Sequence, residues 1–261
     1  MTDPRDETSS VVDRATLEAE VVRVVGAADA AAVAIRALGS IGVALHGHDA
    51  KAMLPNFQRT YADIDLAAYR HDAKAVVSLL EGLGYRHDRE IFIRSEGGRS
   101  IFDDPVRRIH IDVFYDRLDF CHVIPLAGRL EVDHPTIPLA ELLLSKLQIY
   151  RINEKDIVDA IVVLLDHPLA DGDTDTIDVD RIARLCAADW GLWRTITQNL
   201  AKVASLVATF PQLDDVQGSR VVSATTTLKE RIDAEPTSMA WRMRARVGDR
   251  RQWWTEVDEV G

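Results

Sequence analysis

Three aspartates, Asp63, Asp65 and Asp112, are the side chains in this sequence best suited to chemistry. In Asp63-Ile64-Asp65-Leu66 a strand projects both carboxylates from one face and Ile64 and Leu66 from the other, because successive side chains alternate. The run Ile109-His110-Ile111-Asp112-Val113 repeats the pattern, with His110 and Asp112 opposite the aliphatic residues. If the two strands are neighbours, the three carboxylates converge. Such a cluster repels itself unless a cation sits within it, and oxygen ligands suit magnesium, with manganese as an alternative, an ion that also takes phosphate oxygens. Paired ions can activate an attacking hydroxyl and hold leaving phosphates, which is what phosphoryl-type transfer requires. Taken alone, a D-x-D pair is more often the solvent face of an edge strand, so its surroundings carry the weight.

Those surroundings are a glycine turn and a set of predicted elements. From about Val12 to Leu38 the pattern reads as a helix followed by a short strand, Gly39-Ser40 interrupts it, and Ile41 to Leu45 opens a second, short helix. A glycine turn that opens a helix presents backbone N–H groups and the positive end of the helix dipole, an arrangement that binds phosphate. Tyr61 to Tyr69 alternates as a strand, Asp72 to Leu83 reads as a helix stopped by Gly84, and Ile91 to Ile93 and Ile109 to Phe114 read as strands. After Pro138 the pattern is helical: Leu139 to Arg151, Glu154 to Leu165, Val179 to Ala188, Leu192 to Thr209 and Arg220 to Ala234. The expected fold class is α+β, a mixed sheet with flanking helices over residues 12–137, then a helical region over 138–261.

Composition bounds the function. With 261 residues, 47% of them hydrophobic and 28% charged, the chain can bury a sizeable core. A net charge of -11 argues against nonspecific coating of nucleic acid, which relies on many basic contacts to phosphates. No apolar run reaches the roughly 20 residues of a membrane helix, and Met1 to Arg14 is polar and acidic, so a cytoplasmic location without membrane contact is expected. Cys121 and Cys186 lack metal-ligand spacing and read as buried free thiols.

Gly39-Ser40, the stretch Arg59-Thr60-Tyr61-Ala62-Asp63-Ile64-Asp65 and a third strand aspartate together resemble the nucleotidyltransferase superfamily, with its DNA polymerase β-like fold, and within it the AbiEii-like toxin and MenT-like branch. That branch also carries a helical lysine followed by a K/R-D-x-x-D helix, matched by Lys146 in Leu144-Ser145-Lys146-Leu147-Gln148 and by Lys155-Asp156-Ile157-Val158-Asp159. The resemblance spans roughly Ile35 to Leu165. It implies a nucleotidyltransferase-type sheet and magnesium-dependent transfer of a nucleoside monophosphate from a nucleoside triphosphate to an acceptor hydroxyl. Asp63 and Asp65 are then metal ligands, Asp112 the third ligand or general base, Gly39 and Ser40 triphosphate contacts, and Lys146 a phosphate contact. The toxin-like branch implies tRNA or another RNA as acceptor and a cognate antitoxin as partner. A small-molecule acceptor, a noncatalytic nucleotide-binding module of the same fold and a plain interaction protein are the alternatives.

Several residues keep two readings. Arg59, beside Thr60, either holds phosphate bidentately or anchors its loop on a carboxylate. Asp156 either completes the site, by orienting Lys146 or a nucleotide, or pairs with Lys155 or caps its helix, and Asp159 reads as a solvated helix-face charge. His46, His48 and His110 lack the spacing of a zinc motif and read as loop or site-rim residues. The acidic run Asp171 to Asp175 lacks the spacing and closing glutamate of a calcium loop and reads as a solvated linker. The C-terminal arginines and tryptophans, Trp241 to Trp254, suggest either a grip on nucleic acid or a terminal helix packed on the core.

Overall fold

The computed structural model describes residues 12–50, 61 and 63–256. Helix α1 (Arg14–Ala30) starts at Asp13, whose carboxylate accepts from the Thr16 N–H at 3.0 Å, and it buries Leu17, Val21, Val24, Val25 and Ala28 along one stripe. Strand β1 (Ile35–Leu38) runs directly into α2 (Gly39–His46). There follow β2 (Ile64–Ala68), α3 (Ala73–Gly82), β3 (Arg86–Asp88), α4 (Arg89–Arg94), β4 (Arg99–Asp104) and β5 (Ile109–Tyr115). Their strands form one mixed sheet in the order β1-β2-β5-β4-β3, parallel only between β2 and β5. A short hairpin, β6 (Arg117–Asp119) with β7 (Val123–Pro125), leads out of the sheet.

Helices dominate the rest. Helix α5 (Leu139–Leu147) is buried along its whole length, and α6 (Glu154–Asp166) packs beside it. A two-residue strand pair, β8 (Leu169–Ala170) and β9 (Ile177–Asp178), precedes α7 (Val179–Ala188), α8 (Trp190–Leu206), α9 (Asp215–Ala234) and α10 (Met239–Val247). The fold is thus α+β, a mixed five-stranded sheet with helices, and one continuous apolar core joins the sheet to α5, α6 and the later helices. No helix among the described residues is long and apolar enough to cross a membrane.

The structure corrects the expected elements in places. Ile91 to Ile93 lie in α4, not in a strand: Asp88 accepts from the N–H groups of Glu90 (2.9 Å) and Ile91 (3.2 Å) and so caps a helix there. The strands of that region are instead β3 and β4, whose polar residues carry little strand signal. Helix α9 begins five residues ahead of Arg220, at a capping box made by Asp214 and Gln217. Strand β2 is shorter than the Tyr61 to Tyr69 alternation, and α5 stops at Leu147 rather than at Arg151. Strands β8 and β9 were hidden beyond Pro138 because each is only two residues long.

The tryptophans of the C-terminal segment turn inward. Trp241 donates to the Cys186 carbonyl (3.0 Å), Trp253 donates to Thr195 Oγ1 (3.1 Å), and Trp254 stacks on Tyr150 with centroids 3.5 Å apart. Arg244 lies 4.3 Å above the Trp190 ring, and Arg194 pairs with Asp249. This is the packed-helix arrangement. Both cysteines are free and buried.

Candidate active site

The carboxylates meet because β2 and β5 pair in parallel with Asp65 directly opposite Asp112. Residues in register on adjacent strands point to the same face and stand about 4.8 Å apart. Behind them Ile64, Leu66, Ile111 and Val113 are fully buried in the core. Asp63 stands one residue before β2, exposed at the sheet's end. Asp112 is buried and Asp65 half-buried. Burial, then the charge of Asp63, pushes the Asp65 carboxyl up to about 7; Lys146 and Arg99 act against the rise and Asp112 adds to it. The cluster is therefore short of positive charge even with both basic side chains beside it.

Gly39 is forced by this geometry. It sits at the junction of β1 and α2 with φ +65, and a Cβ there would lie 2.0 Å from Asp65 Oδ2. Only glycine permits both the left-handed backbone and the close approach. Leu38 gives α2 no side-chain cap, and the helix's first turn, whose N–H groups have no partner within the helix itself, lies directly beside Asp65.

Lys146 arrives from the buried helix α5. Its Nζ lies 2.9 Å from Asp159, 3.3 Å from Asp156 and 3.4 Å from Ser40 Oγ, and Ser40 donates to Asp159 at 3.0 Å. A buried ammonium requires such partners, because desolvation without them costs several kcal/mol. Asp159 is 1% exposed, so it is no solvated surface charge; α6 turns it inward against Lys146 and Ser40. Asp156 also faces Lys146, and it is Asn153 that caps α6, accepting from the Asp156 N–H at 2.9 Å. Ser40, Lys146, Asp156 and Asp159 thus join three helices at one edge of the carboxylates. Arg59 and Thr60 lie outside the described residues.

Sequence reasoning missed Arg99. From β4 it forms a bidentate pair with Asp112, Nε to Oδ1 at 2.6 Å and Nη2 to Oδ2, while its guanidinium lies 5.5 Å from the Phe114 ring centre. The pair is the first cause of the raised Arg99 pKa. No motif marked it, because its strand was itself unrecognised. Arg99→Ala leaves Asp112 buried without its partner, so in chelator it is expected to lower stability by about 1–3 kcal/mol. Calorimetric titration of the same variant with Mn2+ is expected to show several-fold tighter binding, and unchanged or weaker binding contradicts the competition between guanidinium and cation for Asp112.

The donor set fits a hard divalent cation: carboxylate oxygens on adjacent strand positions, with too little cationic charge to balance them. His110 is engaged by Asp103 across the sheet on β4, its Nδ1 2.7 Å from Asp103 Oδ1. No known protein family, curated protein or solved structure matches the chain.

Proposed function

We propose that this chain is a magnesium-dependent nucleotidyltransferase of the AbiEii/MenT-like kind, built on a nucleotidyltransferase-type sheet. It moves a nucleoside monophosphate from a nucleoside triphosphate to an acceptor hydroxyl and releases pyrophosphate. The observation that carries this reading is the placement of Asp65 opposite Asp112 at the mouth of a glycine-opened helix, with Lys146 held at its edge.

Asp63 and Asp65 would hold the ion, with Asp112 as third ligand once it parts from Arg99. Magnesium, or manganese, would supply charge for the triphosphate oxygens and acidify the attacking hydroxyl. The first turn of α2, at Gly39 and Ser40, offers N–H groups to the triphosphate, and Lys146 offers it a compact positive charge. Asp156 and Asp159 position that ammonium. The released Arg99 guanidinium matches a phosphate bidentately. The acceptor oxygen bonds to the α-phosphorus as the bond from that phosphorus to the β-bridging oxygen breaks. The acceptor proton passes to a carboxylate, for which Asp112 is suited, or to solvent, and pyrophosphate carries away the bond electrons.

Incubation with each labelled triphosphate and total cellular RNA tests the proposal. A labelled RNA band that needs magnesium or manganese is expected, in line with tRNA or another RNA as acceptor. Label appearing only on added small molecules such as aminoglycosides would keep the chemistry and replace the acceptor. Triphosphate binding without turnover across all acceptors would leave a noncatalytic nucleotide-binding module. A cognate antitoxin would be expected to suppress the labelling.

A further inference from the structure

At the opposite end of α2 from Gly39 a second group of ligand-type side chains comes together. His46 is the last residue of α2, His167 follows the last residue of α6, and Asp175 comes from the acidic loop after β8. Each of these brings a ligand atom within 4.8 Å of the other two. The His48 ring stands 5.2 Å from the His167 ring, with its Nε2 3.5 Å from Asp175 Oδ1. The expectation of loop or rim histidines did not include His167, which lies more than a hundred residues from the other two.

This group does not behave as an ordinary hydrogen-bonded cluster. The His167 side chain is only 1% exposed, and its Nδ1 is 3.0 Å from Asp175 Oδ1 without making a hydrogen bond to it or to any other group. His46 Nε2 likewise has Asp133 Oδ2 at 3.0 Å and no hydrogen bond. Each imidazole nitrogen thus has a carboxylate oxygen at contact distance without hydrogen-bond alignment. The scaffold beneath is firm: Asp166, closing α6, accepts from the N–H groups of His48 and Ala50, both at 2.8 Å, and so fixes the chain just after α2.

We infer that His46, His48, His167 and Asp175 form a binding site for a divalent transition metal, zinc in the first instance, separate from the carboxylate cluster. Imidazole nitrogens with one carboxylate suit zinc in a tetrahedral site. Ligand atoms around such an ion stand roughly 3.3 Å apart, so His46, His167 and Asp175 need a contraction of at most about 1.5 Å from their 4.8 Å spacing, and His48 closes on them from beside Asp175. Helix α2 spans about 10 Å between Gly39 and His46, which keeps this ion away from any at Asp65. Zinc here would clasp the end of α2 to the end of α6, the two helices that carry Ser40 and Asp159. The acidic loop is not a solvated linker: Asp173 pairs with Arg129 at 2.6 Å and Asp175 turns toward His167.

The test uses the full chain, stripped with chelator and titrated with Zn2+ against a chromophoric competitor, and then with Co2+ for its visible spectrum. One tight site is expected, with a Kd below about 1 μM and a tetrahedral cobalt band. His167→Asn is expected to weaken it at least 100-fold. Asp175→Ala, at a loop residue 65% exposed, is expected to weaken it at least 10-fold without disturbing the fold. Asp65→Asn is expected to leave it intact. Binding weaker than about 10 μM, or tight binding that survives Asp175→Ala or is lost in Asp65→Asn, overturns the inference.

Discussion

Asp65→Asn is expected to abolish nucleotide transfer and, at the same time, to make the metal-free protein more resistant to heat above pH 7. Both effects come from one carboxylate. Its burial, then its neighbours Asp63 and Asp112, raise its pKa from 3.8 to about 7, so the folded chain binds this proton more tightly than the unfolded chain does. The folded state therefore has its full advantage at this group below about pH 4 and loses it as pH rises through about 7. Asparagine fills the same space and never ionises, so the difference between variant and parent opens across that interval and is complete by pH 8. With solvent screening at a half-buried group, a gain on the order of 2 kcal/mol, or roughly 4–8 °C in Tm, is expected. Magnesium or manganese should erase much of the difference by stabilising only the parent. Thermal melts in chelator at pH 5 and pH 8 measure this, beside transfer assays in which a loss of at least about 1,000-fold is expected. Equal melting at pH 8 would refute the crowding of charge, and retained transfer would remove Asp65 from the chemistry.

Gly39→Ala is expected to be the most damaging glycine-to-alanine change among the described residues. Its Cβ would lie 2.0 Å from Asp65 Oδ2, at a backbone φ of +65 that alanine rarely adopts. The backbone strain alone costs about 1–3 kcal/mol. Relief of the clash pushes Asp65 away from Asp112 or shifts the first turn of α2, and displacements near 1 Å in such a site cost about 100-fold in rate. A lower Tm together with at least that loss of transfer is expected. Gly26→Ala supplies the contrast, because Gly26 is exposed within α1 and a Cβ there meets nothing within 4 Å. That change is expected to stabilise by about 0.5–1 kcal/mol and leave transfer untouched. A harmless Gly39→Ala would mean that the approach of α2 to Asp65 is not a requirement of the site.

Much of this arrangement could be read along the chain, and the limits of that reading have a common cause. Alternation assigned Ile64 and Leu66 to the core and Asp63 and Asp65 to the other face, and did the same for Ile111, Val113 and Asp112. Helical spacing found α3, α5, α6, α7 and most of α8 and α9. These are local properties, set by which neighbours i+2, i+3 and i+4 lie on one side of a strand or helix. Polar strands such as Arg86–Asp88 and Arg99–Asp104 escaped, since they earn their place from partners across the sheet rather than from their own pattern.

Tertiary structure alone decided the rest. That β2 and β5 are parallel neighbours, that Arg99 occupies Asp112, that Asp159 faces inward to Lys146, and that His167 meets His46 all depend on residues far apart in sequence. An isolated aspartate on a strand or helix costs little in water, so nothing in its local pattern records a partner. Only burial makes charge pairing obligatory, and burial is a property of the packed whole.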